Sequence, residues 1–405
     1  MDISLYIHVP FCRKKCDYCD FFSVAQRDRV GKNNDLSDSY ISALLAESSL
    51  YADFYGVSRW NTVYVGGGTP SLLSPGQISA LLNGIQSVRP LAPGAEVTLE
   101  MNPDDVSGEF LSACRASGVN RLSMGIQALD DRALKAVNRG SSVEIIMKAL
   151  GMIHECWKGR LSVDFIAGLP SHTYSSFSSQ FEILKSYPEI DHVSLYTLTV
   201  EENTPLWKNI EEGKIRFSPE KADKMWLKGR NILEKLGFSH YEVSNFARPG
   251  FEARHNSVYW KQESYIGVGA GASGTVYDFA EKSALRWTNT LSIPAYCAGV
   301  EKVFSSDKNP ASLKRKAETI DEKTLEFEFL MLGFRQLCGV SSADFERRFG
   351  TSLAERIGAS EPDGLFSVWK SRRFALEKKS PAGDMVYALN RRGILLLNRF
   401  LEELL

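Results

Sequence analysis

Six short runs rich in β-branched residues, separated by longer stretches of helical period, limit most strongly what this chain can fold into. They are Ser4 to Val9, Thr62 to Val65, Val97 to Met101, Arg121 to Ile126, Ser162 to Ile166 and Val193 to Leu198. Strands joined by helix-length segments predict parallel βα units, because a parallel neighbour is reached only by a crossover. Ser74 and Gln77, with Pro75 between them, spell a capping box at a helix start, and Ser141 with Glu144 spells a second. A further helix should begin at Ser218-Pro219 and carry Ala222, Met225, Trp226, Leu233 and Leu236 until Gly237 stops it. Six units fall short of the eight of a closed barrel. The expected fold class is therefore α/β, an open partial (βα)6 barrel with its site at the C-terminal strand ends, plus a smaller, mainly helical C-terminal domain.

Residues 1–215 are assigned to the barrel and 216–303 to an extension of it. Between about Tyr241 and Asn289 the chain is rich in Gly, Asn and aromatic residues without helical period, which marks a candidate binding region. The charged stretch from Phe304 to Lys316 reads as a linker, opening a C-terminal domain of residues 304–405. A net charge of −1 gives no field to gather nucleic acid or an anionic membrane. No leader-like N-terminus and no long apolar stretch is present, so a cytoplasmic protein without a transmembrane segment is expected. In that reducing compartment an odd count of seven cysteines argues against a disulfide framework.

Three of the seven stand together as Cys12-x3-Cys16-x2-Cys19, directly after the first strand. Arg13, Lys14 and Lys15 lie among them and are expected to lower the thiol pKa values, favouring the thiolates that iron takes as ligands. Three thiolates can fill three corners of a [4Fe–4S] cube and leave the fourth iron open to an external ligand. The alternative is a structural zinc site, for which His8 is the one nearby candidate to complete a tetrahedron. Cys114, Cys156, Cys297 and Cys338 are scattered and read as packing residues.

After the second strand comes Gly66-Gly67-Gly68-Thr69-Pro70-Ser71, where missing side chains let backbone amides come close to a ligand and Thr69 adds a hydroxyl. Glu100 in LEMNP, Gln127 in SMGIQ and Asp164 in SVDFIAGLP are polar residues at strand ends, able to accept hydrogen bonds from amino or ribose groups. Arg139 in AVNRG offers a planar fork for a carboxylate.

The cysteine spacing, with Tyr18 before the third cysteine, resembles that of the radical S-adenosylmethionine superfamily. The resemblance implies that the amino and carboxylate groups of S-adenosylmethionine chelate the open iron, and that reduction of the cluster cleaves the sulfonium to a 5′-deoxyadenosyl radical. The order of the polar residues is similar to the branch containing oxygen-independent coproporphyrinogen III oxidase and the HemW heme chaperones. It implies that Tyr6, Gly67, Gly68, Thr69, Glu100, Gln127, Arg139 and Asp164 line the S-adenosylmethionine site. Phe21 stands where the oxidase has a further cysteine, the first cysteine comes as early as position 12, and the segments Tyr241 to Ala247 and His255-Asn256-Ser257-Val258-Tyr259-Trp260 are similar to ones typical of the chaperones. These features imply heme as cargo, with His255 as its contact near the barrel mouth. Ser273 stands where relatives often carry histidine. The partners so implied are heme, heme-accepting proteins such as respiratory ones, and an electron donor for the cluster, with a homodimer left open. The alternatives are an oxidase that decarboxylates coproporphyrinogen III and an enzyme of the same superfamily with an unrelated substrate.

Overall fold

A computed structural model, which describes residues 1–25 and 35–405, contains all six expected strands. They are β1 (Asp2–Val9), β2 (Arg59–Gly67), β3 (Leu91–Met101), β4 (Arg121–Gln127), β5 (Arg160–Ala167) and β6 (Ile190–Thr197), each parallel to the next. Alternate residues such as Leu5, Ile7, Val63, Val65, Val97, Leu99, Val163 and Phe165 are buried in the main hydrophobic core. With a side-chain period of two, the residues between them, Tyr6, Thr62, Tyr64, Glu100 and Asp164 among them, share the opposite, inner face.

The helix Pro75–Val88 carries the capping box of Ser74 and Gln77, and Ser218 caps the helix Pro219–Lys235, which ends before Gly237 at φ +86°. The second expected box does not form. Ser142 caps the helix Val143–Cys156, so Glu144 falls one position short of closing it, and Ser141 bonds Asp104 instead.

The stretch from Tyr241 to Asn289 is more regular than its composition suggested. It supplies β7 (Ser239–Glu242), β8 (Asn245–Ala247), the helix Arg254–Trp260, β9 (Tyr265–Val268), β10 (Ser273–Asp278) and β11 (Ser283–Asn289). β9 pairs parallel to β1, adding a seventh parallel strand, and β8 turns antiparallel against β6. β12 (Arg315–Ile320) pairs with β11, so the expected linker already joins the barrel sheet at its end. The sheet runs β12-β11-β10-β9-β1-β2-β3-β4-β5-β6-β8-β7 and is open between its two ends.

A second hydrophobic core, built on Leu330, Phe334, Phe345, Phe366 and Phe400, defines the C-terminal unit. It is mainly helical, with a small antiparallel sheet of Val340–Ser341, Met385–Leu389 and Ala375–Lys379. Among the described residues no helix is long and apolar enough to cross a membrane.

Candidate cluster and nucleoside site

The cysteine loop leaves the C-terminal end of β1. Phe11 and Cys12 pair with Val24 and Ala25, which folds the intervening loop back on itself. Cys12 and Cys16 are buried and Cys19 is half-buried. The Thr69 hydroxyl donates to Cys12 Sγ at 3.5 Å, Arg139 Nη1 donates to Cys16 Sγ at 3.7 Å, and Cys19 N–H donates to the Cys16 carbonyl at 3.1 Å. Asp17 is tied to the segment after β4 by its amide to the Val137 carbonyl and by Asn138 Nδ2 at 3.0 Å.

The basic residues of the loop act unequally. Arg13 is spent on Asp105, 2.6 Å away, and burial pushes the Cys19 thiol up to about 11 although Lys15 works against it. The donor set fits a cube. Two of the sulfurs already accept hydrogen bonds, and the four other cysteines lie elsewhere, Cys114 inside the core and Cys156 and Cys338 at the surface. A cube takes one thiolate at each of three separate irons, which the three cysteines of this loop can supply. His8 cannot serve zinc, since Nδ1 lies 2.9 Å from the Tyr6 hydroxyl and Nε2 2.9 Å from the Phe22 carbonyl.

The glycine turn is compelled by packing. Gly67 has φ +109°, and a Cβ there would meet the His8 ring at 2.5 Å; one on Gly68 would meet the Phe11 carbonyl at 2.8 Å. The Gly67 amide donates to Glu100 Oε2 at 3.1 Å, while Tyr64 donates to Glu100 Oε1 at 2.6 Å. Even so, burial raises the Glu100 carboxyl to about 7. Burial likewise raises Asp164 to about 6, outweighing its hydrogen bond with Ser194. In both carboxyls burial outweighs the hydrogen bonds and the nearby arginines, Arg121 for each and Arg139 for Asp164.

Arg139 Nη2 donates to Asn102 Oδ1 at 2.7 Å and to the Gly125 carbonyl at 2.6 Å. Gln127 sits at φ +68°, a left-handed conformation costly for a residue with a side chain. The fold therefore gathers Tyr6, Gly67, Gly68, Thr69, Glu100, Gln127, Arg139 and Asp164 around the C-terminal halves of β1 to β5, beside the cysteines. Sequence reasoning passed over Asn102, which joins Arg139 to Thr69, and Asp105, which holds Arg13 and Ser71. Both follow Glu100 in the same short segment, and that was the available signal.

His255 is not brought to this site. It lies on the short helix Arg254–Trp260, 1% exposed, with Nδ1 2.6 Å from Thr62 Oγ1 and Nε2 2.8 Å from the Tyr259 hydroxyl. Burial lowers it to about 3. Thr62 precedes Gly67 by five residues on β2, about 16 Å at strand rise. His255 is instead buried inside the barrel, its ring stacked on Tyr64 at 5.0 Å, and with both ring nitrogens already partnered within the protein the expected heme contact is corrected. Ser273 bonds Thr288 at 2.7 Å, and Phe21 stands 66% exposed at the rim beside the cysteines.

Residues 6–184 match the Radical SAM superfamily, and residues 320–362 match the HemN C-terminal domain. The heme chaperone HemW of Lactococcus lactis is 32% identical over 88% of this chain and 87% of its own length, and that of Escherichia coli is 32% identical over 85% of each. The mitochondrial radical S-adenosyl methionine domain-containing protein 1 of Bos taurus is 39% identical over 67% of this chain, a match that spans 60% of the bovine protein. The coproporphyrinogen III oxidase HemN of Escherichia coli, a radical SAM enzyme, shares the fold with a TM-score of 0.79 over 100% of this chain and 90% of that one, at 20% identity.

Proposed function

Because the chain belongs to the HemW family of the radical S-adenosylmethionine superfamily, we propose that it is a heme chaperone that holds a [4Fe–4S] cluster and S-adenosylmethionine and delivers heme to respiratory or other heme proteins. Cys12, Cys16 and Cys19 bind the cluster, which supplies a reducible iron centre with open coordination. Thr69 and Arg139 already donate toward two of the sulfurs, so the loop is oriented before the cluster arrives. Glu100 and Asp164 accept from the amino and ribose groups of the nucleoside, and Tyr6, Gly67, Gly68 and Gln127 shape the walls around it. Arg139, anchored on Asn102 and Gly125, keeps its Nε without a partner and offers its positive charge to the methionine carboxylate.

The observation that carries this reading is the cysteine loop at the end of β1, where Thr69 and Arg139 donate toward two of its sulfurs, on the same end of the barrel as the half-buried carboxyls of Glu100 and Asp164. Its test is titration with heme after anaerobic reconstitution of the cluster. A Soret shift that saturates near one heme per chain is expected, and no shift with the cluster intact refutes the chaperone assignment. Conversion of coproporphyrinogen III to protoporphyrinogen in the presence of reductant and S-adenosylmethionine would replace it by the oxidase.

A further inference from the structure

At the N-terminal end of the barrel, away from the cysteines, lies a cavity of about 380 Å³ lined by Glu96, Lys158, Arg160, Asp191, Phe251 and Arg254. That volume is in the range of small-ligand sites. Its charges do not balance internally. Glu96 is fully engaged, by Arg160 Nη1 at 3.1 Å and by the backbone amides of Arg254 and His255 at 3.1 and 3.0 Å. Asp191 faces Arg160 at 3.9 Å, leaving its Oδ1 and the Arg160 Nε buried without a hydrogen-bond partner. Two cations are left over. Lys158 has no carboxylate partner among the described residues, and Arg254 spends its guanidinium only on the Gly94 carbonyl. Beside them Phe251, 39% exposed and lying under the Arg160 guanidinium, supplies an apolar wall.

We infer that this cavity binds carboxylates carried on a flat apolar body, and that it takes the propionate edge of heme. The identification of heme rests on the chaperone reading above; the charge and shape of the cavity do not. Lys158 and Arg254 each pair with one propionate, Phe251 packs against the macrocycle edge, and the rest of the ring lies outside the cavity. The same contacts touch the start of the helix that carries His255, whose amide is held by Glu96. Heme and cluster therefore occupy opposite ends of one barrel.

The test measures the heme dissociation constant of the full-length protein by Soret titration for wild type, Lys158→Gln/Arg254→Gln and Lys158→Glu/Arg254→Glu. The dimethyl ester of heme, which lacks both charges, is titrated alongside. Both side chains are exposed, so the fold should persist, and unchanged iron and sulfide content at the far end checks this. Charge-assisted contacts of this kind predict that the glutamine pair binds heme about tenfold more weakly and the glutamate pair more weakly still. Binding of the ester should be equal in all three proteins. Equal heme affinity in all three overturns the inference while leaving the chaperone reading in place. Failure of the wild type to bind heme overturns the chaperone reading itself. Loss of heme binding in the Cys12→Ala protein would also count against separate sites.

Discussion

Replacing Glu100 by glutamine separates what this carboxyl costs the fold from what it gives the site. The group is half-buried with two hydrogen bonds, from Tyr64 and Gly67, and burial raises it from 4.5 to about 7. An acid whose folded pKa lies above its unfolded one binds more protons in the native state between those values. Its contribution to stability is thus fully present below about pH 4.5, falls as pH rises through the window and is lost above about pH 7. A shift of about 2.5 units at 1.36 kcal/mol each amounts to roughly 3 kcal/mol. Glutamine carries no charge but can satisfy only one of the two donors with its carbonyl, at a cost of about 1–3 kcal/mol independent of pH. Cluster-free Glu100→Gln should therefore be less stable than wild type at pH 5 and gain on it by about 3 kcal/mol between pH 5 and 8. Urea unfolding of both proteins across that range reads the difference. Binding of S-adenosylmethionine to the reconstituted variant should weaken, because an amide accepts fewer donors than a carboxylate. A stability difference that stays flat from pH 5 to 8 refutes the claim that Glu100 is held as a strained acid.

Cys12→Ala, Cys16→Ala and Cys19→Ala should each abolish stoichiometric iron and sulfide after reconstitution, and full cluster content in any one refutes the ligand set. Gly67→Ala places a methyl against the His8 ring at φ +109°; it should lower the melting temperature and weaken S-adenosylmethionine binding together, as calorimetry of both will show. Arg139→Ala leaves the Gly125 carbonyl and Asn102 without their donor, a loss of about 1–3 kcal/mol in denaturant unfolding, and should slow cluster assembly as followed by absorbance. His255→Ala removes two buried hydrogen bonds and the stacking against Tyr64; destabilisation of about 2–4 kcal/mol is expected, with cluster content unchanged, and loss of the cluster in a folded variant would contradict a structural role for this residue.

What could be read in advance divides by how far apart in the chain the determining partners lie. The six barrel strands, the Ser74 cap and the helix after Ser218 follow from patterns spanning a few residues, and the fold keeps them. Of the loop cations, Lys15 acts on Cys19 in the expected direction but Arg13 is drawn to Asp105, 92 positions away, so a cluster of positive charge in sequence need not be one in space. Ser141 illustrates the same thing more mildly, since Asp104 draws it away from the helix that it was expected to cap. The helix around His255 is too short for its period to be seen, and no side chain caps it. Its histidine looked like a ligand because residue type alone does not say whether a polar group will find its partners inside the protein. Here Thr62 lies 193 residues away and Tyr259 only four, so one of the two bonds that close the ring nitrogens was visible in the local sequence and the other was not. Glu100 and Asp164 are the opposite case. They are half-buried on the inner face at strand ends, where the strand pattern of the sequence alone already placed them, and burial raises both carboxyls despite the hydrogen bonds that the protein gives them.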